Sequence, residues 1–320
     1  MLRMTPEFRL IERVFSPATS HTLLAGGDDA ALLVATPGTH LAISTDMLVE
    51  GVHFLPGTDA EALGHKVLAV NLSDLAAMGA RPRWAFLALS LPALDEPWCE
   101  RFMAGFLALA GRHGVDLAGG DTTRGPRNLC VTVVGECVPG AALRRDGARA
   151  GDDIHLSGVV GEAAAGLQSR RRLKAGDAAD VEHCRRRLDR PEPRVMLGRA
   201  LAGVAHAAID VSDGLVADLG HICSRSGLGA TIEWQRLPHS SALSALSEQE
   251  RMAAVLAGGD DYELVFTAPV TARERLAAIA EGCGTPLTRI GRMEVGSGVS
   301  VLDGRGRALA LDRGGFDHFA

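Results

Sequence analysis

HLAISTD, residues 40–46, and DAEALGHKVLAVNLSDLAAMG, residues 59–79, together decide the fold class. The first segment has the apolar character of a β-strand and ends in the carboxylate of Asp46. The second starts at Asp59, a residue type that caps helices, and repeats apolar residues at helical spacing. It stops at Gly79, whose missing Cβ suits a helix end. The pair predicts a strand followed by a long helix.

The same alternation continues along the chain. Residues 84–91 predict a buried strand, Asp95 caps a helix that runs to Gly114, and a strand follows at 129–134. After a small, charged connector at 144–152, the pattern predicts a strand at 154–156, a helix at 195–205, a strand ending at Asp210, a helix from Asp213 and a strand at 262–267. We predict a mixed α/β fold in two domains, residues 1–148 and residues 149–320.

Composition narrows the class of protein. The 320 residues are 47% hydrophobic, enough for two modest cores. The longest apolar run, residues 84–94, is well short of the roughly 20 residues that cross a bilayer. The first seven residues include Arg3, Pro6 and Glu7 and no apolar stretch of the kind that a secretory signal contains. We therefore expect a folded, cytoplasmic protein without a membrane span.

Charge and cysteine usage disfavour several classes of site. With 33 basic and 39 acidic side chains, the net charge is −6, and a negatively charged protein does not attract the phosphates of a nucleic-acid backbone. We interpret the basic runs at 170–172 and 185–187 as solvated faces. The six cysteines show neither the C-x-x-C pairs of a zinc site nor a disulfide framework.

One pentapeptide, Leu-Ala-Gly-Gly-Asp, occurs at residues 24–28, 117–121 and 256–260. Each copy has an apolar lead-in, two glycines that allow a sharp turn or a close approach to a ligand, and a carboxylate at the turn. A single copy is most simply a Gly-Gly-Asp turn. Three copies, together with other aspartates, favour a shared function.

Those other aspartates are Asp29, Asp46, Asp74, Asp210 and Asp213. Ordinary structural roles exist for some of them, because Asp213 could cap a helix and Asp46 could close a turn. Asp74 is harder to explain, since burying a carboxylate in an apolar helix costs several kcal/mol without a cationic partner. Asn71 shares the face of Asp74 at i, i+3 spacing, and the nearest cation on that face is Lys66.

If these carboxylates converge, their repulsion raises their pKa values unless divalent cations neutralise them. Magnesium prefers oxygen ligands and commonly joins one or two carboxylates to substrate phosphates. The chain has no P-loop, no kinase H-R-D loop, no G-x-G-x-x-G after a strand and no G-x-S-x-G elbow. The acids therefore predict a phosphorylated substrate and catalysis by positioning and charge neutralisation, without a covalent protein nucleophile.

Six blocks of sequence are spread over nearly the whole chain: GDDAA at 27–31, STDMLVEGVHF at 44–54, NLSDLAAMG at 71–79, GGDTT at 119–123, DVSDGL at 210–215 and GGDDYEL at 258–264. They resemble the thiamine-monophosphate kinase family. The wider superfamily, with aminoimidazole ribonucleotide synthetase and selenophosphate synthetase, shares the acidic ATP-binding elements. The blocks at 44–54 and 71–79, with GFDHF at 315–319, are similar to the kinase specifically.

The resemblance implies a fold and an activity. The activity is ATP-dependent phosphorylation of thiamine monophosphate to thiamine diphosphate by direct in-line transfer, the last step in making that cofactor. The implied fold has an N-terminal domain for ATP, magnesium and dimerisation, whose mixed sheet pairs across a homodimer. A larger C-terminal α/β domain completes the nucleotide and substrate site.

The resemblance also implies residue roles by position. Ligands for several magnesium ions fall at Asp29, Ser44, Thr45, Asp46, Asp74, Asp121, Asp210 and Asp213. ATP contacts fall at Gly120, Asp121, Arg145 and Ser212, and substrate contacts at His53, Asp260, Arg313 and Phe316. Two positions depart from the family, which commonly has glutamate at Asp260 and an aromatic residue at Arg313. Phe316 is an alternative platform for the thiamine ring.

Two other functions remain open on the sequence. One is another magnesium-dependent ATPase of the superfamily, which makes an acyl or imidoyl phosphate on a different small molecule. The other is a nucleotide-binding protein without turnover, which the joint presence of Asp46, Asp74, Asp121 and Asp213 disfavours.

Overall fold

The computed structural model describes Thr5, residues 9–172, residues 177–310 and Gly315. The chain folds as two compact units, one of Met1–Leu75 with Ala80–Pro139 and one of Ala76–Gly79 with Gly140–Ala320. No helix among the described residues is both long and apolar enough to pass through a bilayer.

The N-terminal unit is built on a mixed sheet backed by helices. Its elements are a π-helical turn Ile11–Phe15, β1 His40–Val49, α1 Ala60–Ala77, β2 Arg81–Leu91, α2 Glu96–His113, β3 Asp116–Arg124 and β4 Asn128–Cys137. The described strands lie in the order β1-β4-β2-β3, with β3 parallel to β2 and the other pairs antiparallel. The edge strands of this sheet are therefore β1 and β3.

The predicted helix caps of this unit are confirmed. The Asp59 carboxylate accepts a hydrogen bond from the Ala62 amide, and Asp95 caps α2 through the Trp98 amide. The two helices cross in close contact, because a Cβ at Gly64 would lie 1.8 Å from the Phe102 carbonyl oxygen. Glycine at this crossing lets the backbones of the two helices approach closely.

The C-terminal unit is larger. Its strands are β5 Asp153–Ser157, β6 Ala207–Asp210, β7 Gly229–Glu233, β8 Leu264–Ala268, β9 Leu287–Glu294 and β10 Gly298–Leu302. Its helices are α3 Glu162–Arg172, α4 Ala178–Asp189, α5 Val195–Leu201, α6 Leu215–Ser226, α7 Glu248–Ala257 and α8 Arg273–Cys283, with single 3-10 turns at Trp234–Arg236, Ser241–Leu243 and Val270–Ala272. The described strands lie in the order β10-β7-β9-β5-β8-β6.

Four predicted boundaries are wrong. The first strand continues to Val49, so Asp46 lies inside β1 rather than at its end. The helix predicted at 195–205 stops at Leu201, and Gly203 follows with a φ of +74°. The last predicted strand starts later, at Leu264, because Tyr262 has a φ of +53° that a strand excludes. The helix predicted from Asp213 begins two residues later.

The basic runs are only partly solvated. Arg170 pairs with Asp189, and Arg185 donates to the Ser169 hydroxyl. Arg187 points inward, and its side chain is only 16% exposed, so the interpretation as a solvated face is wrong for this residue. The side chains of Arg171 and Arg172 lie outside the described residues.

Asp116, at the start of β3, fastens the segment that precedes the first pentapeptide. Its carboxylate accepts hydrogen bonds from the amides of Ser20 and His21 and from the Thr22 hydroxyl, at 2.7–2.9 Å. Burial opposes the charge of Asp116, but these donors outweigh it and lower the pKa of the carboxyl group.

We expect Asp116→Asn to destabilise the protein most at neutral pH. A carboxyl group whose pKa is lower in the folded state stabilises it above the unfolded pKa of about 3.9, and this contribution is lost as pH falls through the folded value. The cost at pH 7 is about 1.5–3 kcal/mol, the usual range for hydrogen bonds to a charged group. Urea unfolding of both proteins between pH 3 and pH 7 should show the difference shrinking below about pH 4. A constant difference, or one shared by the exposed control Glu182→Gln, contradicts this account.

Candidate functional site

A group of polar side chains lies where β1 faces α1. The Ser44 hydroxyl donates to a carboxylate oxygen of Asp74 at 2.5 Å, although 30 residues separate them. The backbone amide of Asp46 donates to the side-chain oxygen of Asn71 at 3.0 Å. Asn71 is itself oriented, because its amide nitrogen donates to the Val67 carbonyl at 2.9 Å. The helix face that carries Asn71 and Asp74 therefore lies beside β1. Ser44 contacts this face through its side chain and Asp46 through its backbone amide.

Thr45 does not join this group through its side chain. Successive residues of a strand point to opposite faces, and the half-buried Ser44 and Asp46 alternate with the exposed Thr45. The Thr45 hydroxyl lies on the other face, where it hydrogen-bonds the hydroxyl of Thr132 at 2.8 Å.

Asp121 lies on β3, at the opposite edge of the sheet from Asp46. Two strands separate β1 from β3, so the backbones are about 14 Å apart at the usual spacing of strands. Gly120, the neighbour of Asp121, packs against β2, because a Cβ there would lie 1.9 Å from the Leu87 carbonyl oxygen. A side chain at residue 120 would push β3 away from β2.

Asp29 lies in an exposed loop ahead of β1. Its amide donates to the Asp28 carboxylate at 2.9 Å, and a short antiparallel bridge joins Leu24 to Leu32 around it. The structure does not bring Asp29 into contact with the group at Ser44, Asp46 and Asp74 in any described hydrogen bond.

The three copies of the pentapeptide adopt three conformations. The first is the exposed loop, the second lies within β3, and the third begins in the last turn of α7 and continues into a tight turn. The expectation of one turn used three times is wrong for the second copy. Pairing with β2 extends that copy, which shows that neighbours in the fold override the local preference for a turn.

His53 lies in the turn that follows β1. Its Nδ1 accepts a hydrogen bond from the Val49 amide at 3.0 Å, and the Lys66 ammonium approaches the His53 carbonyl at 3.5 Å. An accepting Nδ1 places the ring proton on Nε2 in the neutral imidazole. The half-buried ring is therefore held at one nitrogen and can donate from the other.

In the C-terminal unit, the predicted residues Asp210, Ser212 and Asp213 lie at the end of β6. Asp210 is 4% exposed and pairs with Leu264 of β8. The amides of Ser212, Asp213 and Gly214 all donate to one oxygen of Asp218, at 3.0, 3.1 and 3.0 Å. Burial, opposed by these amides, raises the pKa of Asp218 to about 7. Gly214 is the N-cap residue of α6, so the possible capping role of Asp213 is wrong.

The turn that carries Asp260 is fastened to this segment. The Asp260 amide donates to the Ser212 carbonyl at 2.9 Å, and the Tyr262 amide donates to the Val211 carbonyl. Asp260 has a φ of +68°, which a non-glycine residue adopts at some cost. The Tyr262 hydroxyl donates to the Asp260 carboxylate at 3.1 Å and fixes its direction. The structure therefore brings Asp260, Ser212 and Asp213 together.

The other acids of the same block have different partners. Asp261 is buried and accepts hydrogen bonds from the amides of Gly161 and Ala163, and burial raises the pKa of Asp261 to about 8. Glu263 is fully buried and pairs with the guanidinium groups of Arg187 and Arg194. These two acids hold the start of α3 and the helices around it.

Arg145 lies in the connector that joins β4 to β5, and its side chain is exposed. Its carbonyl accepts a hydrogen bond from the Ser226 hydroxyl at the end of α6, so its backbone is held while its guanidinium faces solvent. Arg313 and Phe316 lie outside the described residues.

Sequence reasoning missed Asp218, Asp261 and Glu263 as determinants of the site's shape. Asp261 and Glu263 stand within the GGDDYEL block, which is the signal that could have found them. Asp218 carries a weaker signal, because it follows DVSDGL by three residues on a helix whose N-cap has no side-chain acceptor.

No three or more His, Cys, Asp or Glu side chains gather closely enough to hold a metal ion within residues 9–172 and 177–310. The hydrogen bond between Ser44 and Asp74 brings one hydroxyl and one carboxylate together. Magnesium commonly uses only one or two carboxylates and takes its other ligands from water and substrate phosphates.

Two family descriptions match the chain. AIR synthase related protein, N-terminal domain, matches residues 27–137, and AIR synthase related protein, C-terminal domain, matches residues 149–304. They match two consecutive parts of the chain and cover most of its length.

Known proteins match nearly the whole chain. The thiamine-monophosphate kinase of Escherichia coli (strain K12) is 46% identical over 319 residues, which cover 98% of each chain. The crystal structure of thiamine-monophosphate kinase from Stenotrophomonas maltophilia K279a has a TM-score of 0.85 and 49% identity, and covers 94% of this chain and 96% of that one. AaThiL, solved in complex with AMPPCP and TMP, has a TM-score of 0.79 and 32% identity over 100% of both chains. The chain therefore belongs to the thiamine-monophosphate kinase family.

Proposed function

We propose that this chain transfers the terminal phosphoryl group of ATP to thiamine monophosphate. An oxygen of the substrate phosphate attacks the terminal phosphorus in line, the bond to ADP breaks, and thiamine diphosphate and ADP leave in equal amounts. The observation that carries the proposal is 46% identity to a thiamine-monophosphate kinase across 98% of both chains. The oxygen-rich groups at β1 and β6 support it, because phosphoryl transfer depends on positioning and charge neutralisation.

The donor chemistry fits magnesium. Ser44, Asp46 and Asp74 offer only oxygen atoms, and Asp46 and Asp74 are half-buried carboxylates whose strand and helix are held together by hydrogen bonds. Oxygen is the ligand that this hard cation prefers. Bound magnesium would neutralise charge on the phosphates. We assign the ligand role to Asp29, Ser44, Thr45, Asp46, Asp74, Asp121, Asp210 and Asp213. Because the Thr45 hydroxyl lies on the other face of β1, Thr45 would serve through its backbone carbonyl oxygen. Since Asp46 and Asp121 lie on opposite edge strands, the assignment requires more than one ion.

Residues of both halves of the chain are assigned to contacts with nucleotide and substrate. We assign Gly120, Asp121, Arg145 and Ser212 to ATP. The guanidinium group of Arg145 offers a planar pair of donors to phosphate. His53 and Asp260 are assigned to thiamine monophosphate. The fixed backbone and the Tyr262 contact place the Asp260 carboxylate at one position, one methylene shorter than glutamate. Arg313 and Phe316 stay predicted substrate contacts.

A homodimer is also proposed, through the outward face of β1 at Leu41, Ile43, Thr45 and Met47. The three apolar side chains on this face are 49–64% exposed on an edge strand. Contiguous exposed apolar surface of this kind marks an interaction site. Sedimentation equilibrium that gives the mass of a single chain at micromolar concentration contradicts the dimer.

We assign residues 1–148 to ATP, magnesium and dimerisation and residues 149–320 to completing the site. The cytoplasmic location stays a prediction.

The purified protein, incubated with ATP, magnesium and thiamine monophosphate, should form thiamine diphosphate and ADP in equal amounts. A parallel reaction with EDTA in place of free magnesium should form neither. ADP formed only with a different acceptor would identify another ATPase of the superfamily. Tight ATP binding by calorimetry without any product would identify a nucleotide-binding protein, and either outcome overturns the proposed function.

A further inference from the structure

We propose that Asp218 is a positioning residue for the nucleotide. Through the amides of residues 212–214, it holds the side chains of Ser212 and Asp213 where the phosphates of ATP bind. This inference rests on the proposed function and deepens it, because Asp218 itself is 2% exposed and reaches no substrate.

Three consecutive amides converge on one oxygen of Asp218, at 3.0–3.1 Å. A run of amides that points into one concave space binds an anion in many proteins. Here the chain's own carboxylate fills that space. Three hydrogen bonds to a single buried oxygen fix the backbone of this short segment.

The arrangement changes what the start of α6 can offer to ATP. A helix N-terminus usually attracts phosphate with its free amides. At α6 the amides of Ser212, Asp213 and Gly214 are already bound to Asp218, so they are not available to a phosphate. The half-buried side chains of Ser212 and Asp213 are the groups left to meet the nucleotide, and a carboxylate meets phosphate through a cation. The start of α6 should therefore bind metal-bound nucleotide more tightly than nucleotide without metal.

The opposite side of the segment is held by the turn at residues 258–260. The Asp260 amide donates to the Ser212 carbonyl at 2.9 Å, and a Cβ at Gly259 would lie 2.2 Å from the same oxygen. Ser212 is thus hydrogen-bonded through its amide to Asp218 and through its carbonyl to Asp260. Replacing the Asp218 carboxylate weakens the contacts on one side of Ser212 and lets the segment move.

A purely structural role makes a different prediction. If Asp218 serves only to cap α6, its loss lowers stability but leaves the kinetic constants of the folded enzyme unchanged. If it positions Ser212 and Asp213, the KM for ATP and the affinity for metal-bound nucleotide change while the protein is folded. The two roles are therefore separable by experiment.

The test compares Asp218→Asn with Asp153→Asn. The control Asp153 is equally buried in the same unit, but its partners are the side chains of Arg273 and Arg289. We expect Asp218→Asn to lower kcat/KM for ATP about 10- to 100-fold, the usual range for a residue that orients a metal ligand. AMPPCP affinity with magnesium, measured by calorimetry, should fall by a similar factor. Asp153→Asn should lower the melting temperature and leave both quantities within twofold.

Equal kinetics and AMPPCP affinity in the two variants overturn the inference, even if the wild type makes thiamine diphosphate. If the wild type makes none, the proposed function fails, and AMPPCP affinity still decides the role of Asp218. Should Asp218→Asn not fold, Asp218→Ser takes its place, and wild-type AMPPCP affinity in that variant counts against the inference. Hydrogen exchange on the wild type gives an independent check, because unprotected amides at residues 212–214 contradict the geometry.

Discussion

Asp46→Asn is expected to lower kcat by about 10²- to 10³-fold, the loss typical of removing one preorganised electrostatic contact from a reacting centre. The substitution keeps the shape of the side chain and removes its negative charge. The backbone remains in place, because the Asp46 amide donates to Asn71 and that bond does not involve the Asp46 side chain. The loss of rate therefore measures the effect of the carboxylate charge on bound magnesium and not a displacement of β1.

The measurement is the initial rate of thiamine diphosphate formation at saturating ATP and substrate, over a range of magnesium concentrations. Asp95→Asn is the matched control, because it makes the same chemical change at the N-cap of α2, where asparagine caps as well as aspartate. We expect the control to stay within twofold of the wild type. A rate for Asp46→Asn within twofold of the wild type rules out the assigned role.

Glu263→Gln is expected to destabilise the C-terminal unit by about 3–5 kcal/mol, the usual cost of removing one partner from a buried ion pair. Glu263 is 0% exposed, and its oxygens accept from Arg187 at 2.8 Å and from Arg194 at 2.7 Å. Burial opposes the charge on Arg194, but its hydrogen bond to Glu263 outweighs this and raises the pKa of the guanidinium group. Glutamine keeps the volume but removes the carboxylate that Arg194 pairs with, and it leaves Arg187 with Glu162 as its remaining acidic partner.

Urea unfolding followed by circular dichroism measures the change. Glu233→Gln is the control, since Glu233 and Arg236 form an ion pair with side chains 45% and 44% exposed. Exposed pairs contribute about 0–1 kcal/mol, so the control should unfold close to the wild type. A midpoint for Glu263→Gln as high as that of the control would show that the buried pairs add little.

The three acids of the GGDDYEL block show what a motif conveys. In the sequence they are three carboxylates within the four residues that follow two glycines. In the structure the backbone of Asp260 is hydrogen-bonded to Ser212, whereas the carboxylates of Asp261 and Glu263 are buried among amides and guanidinium groups. Burial decides the role of each, and burial depends on which distant elements pack against the block.

The sequence alone determined the features that depend on a few neighbouring residues. Asp59 and Asp95 cap their helices, Gly114 ends α2 with a φ of +63°, and strands and helices alternate in both halves. Capping and turn formation involve hydrogen bonds within three or four residues, so their energies are set locally. The family blocks can also be recognised from the sequence alone, because their residue types occur at fixed spacing.

Only the tertiary structure decided which side chains meet. Ser44 reaches Asp74, Asp218 binds the amides at the end of β6, and Thr45 turns away from Ser44. Asp46 and Asp121 are placed on opposite edges by the strand order, which no local pattern shows. The physical reason is that strand pairing and burial join segments remote in the chain, and their free energy outweighs the small local preferences.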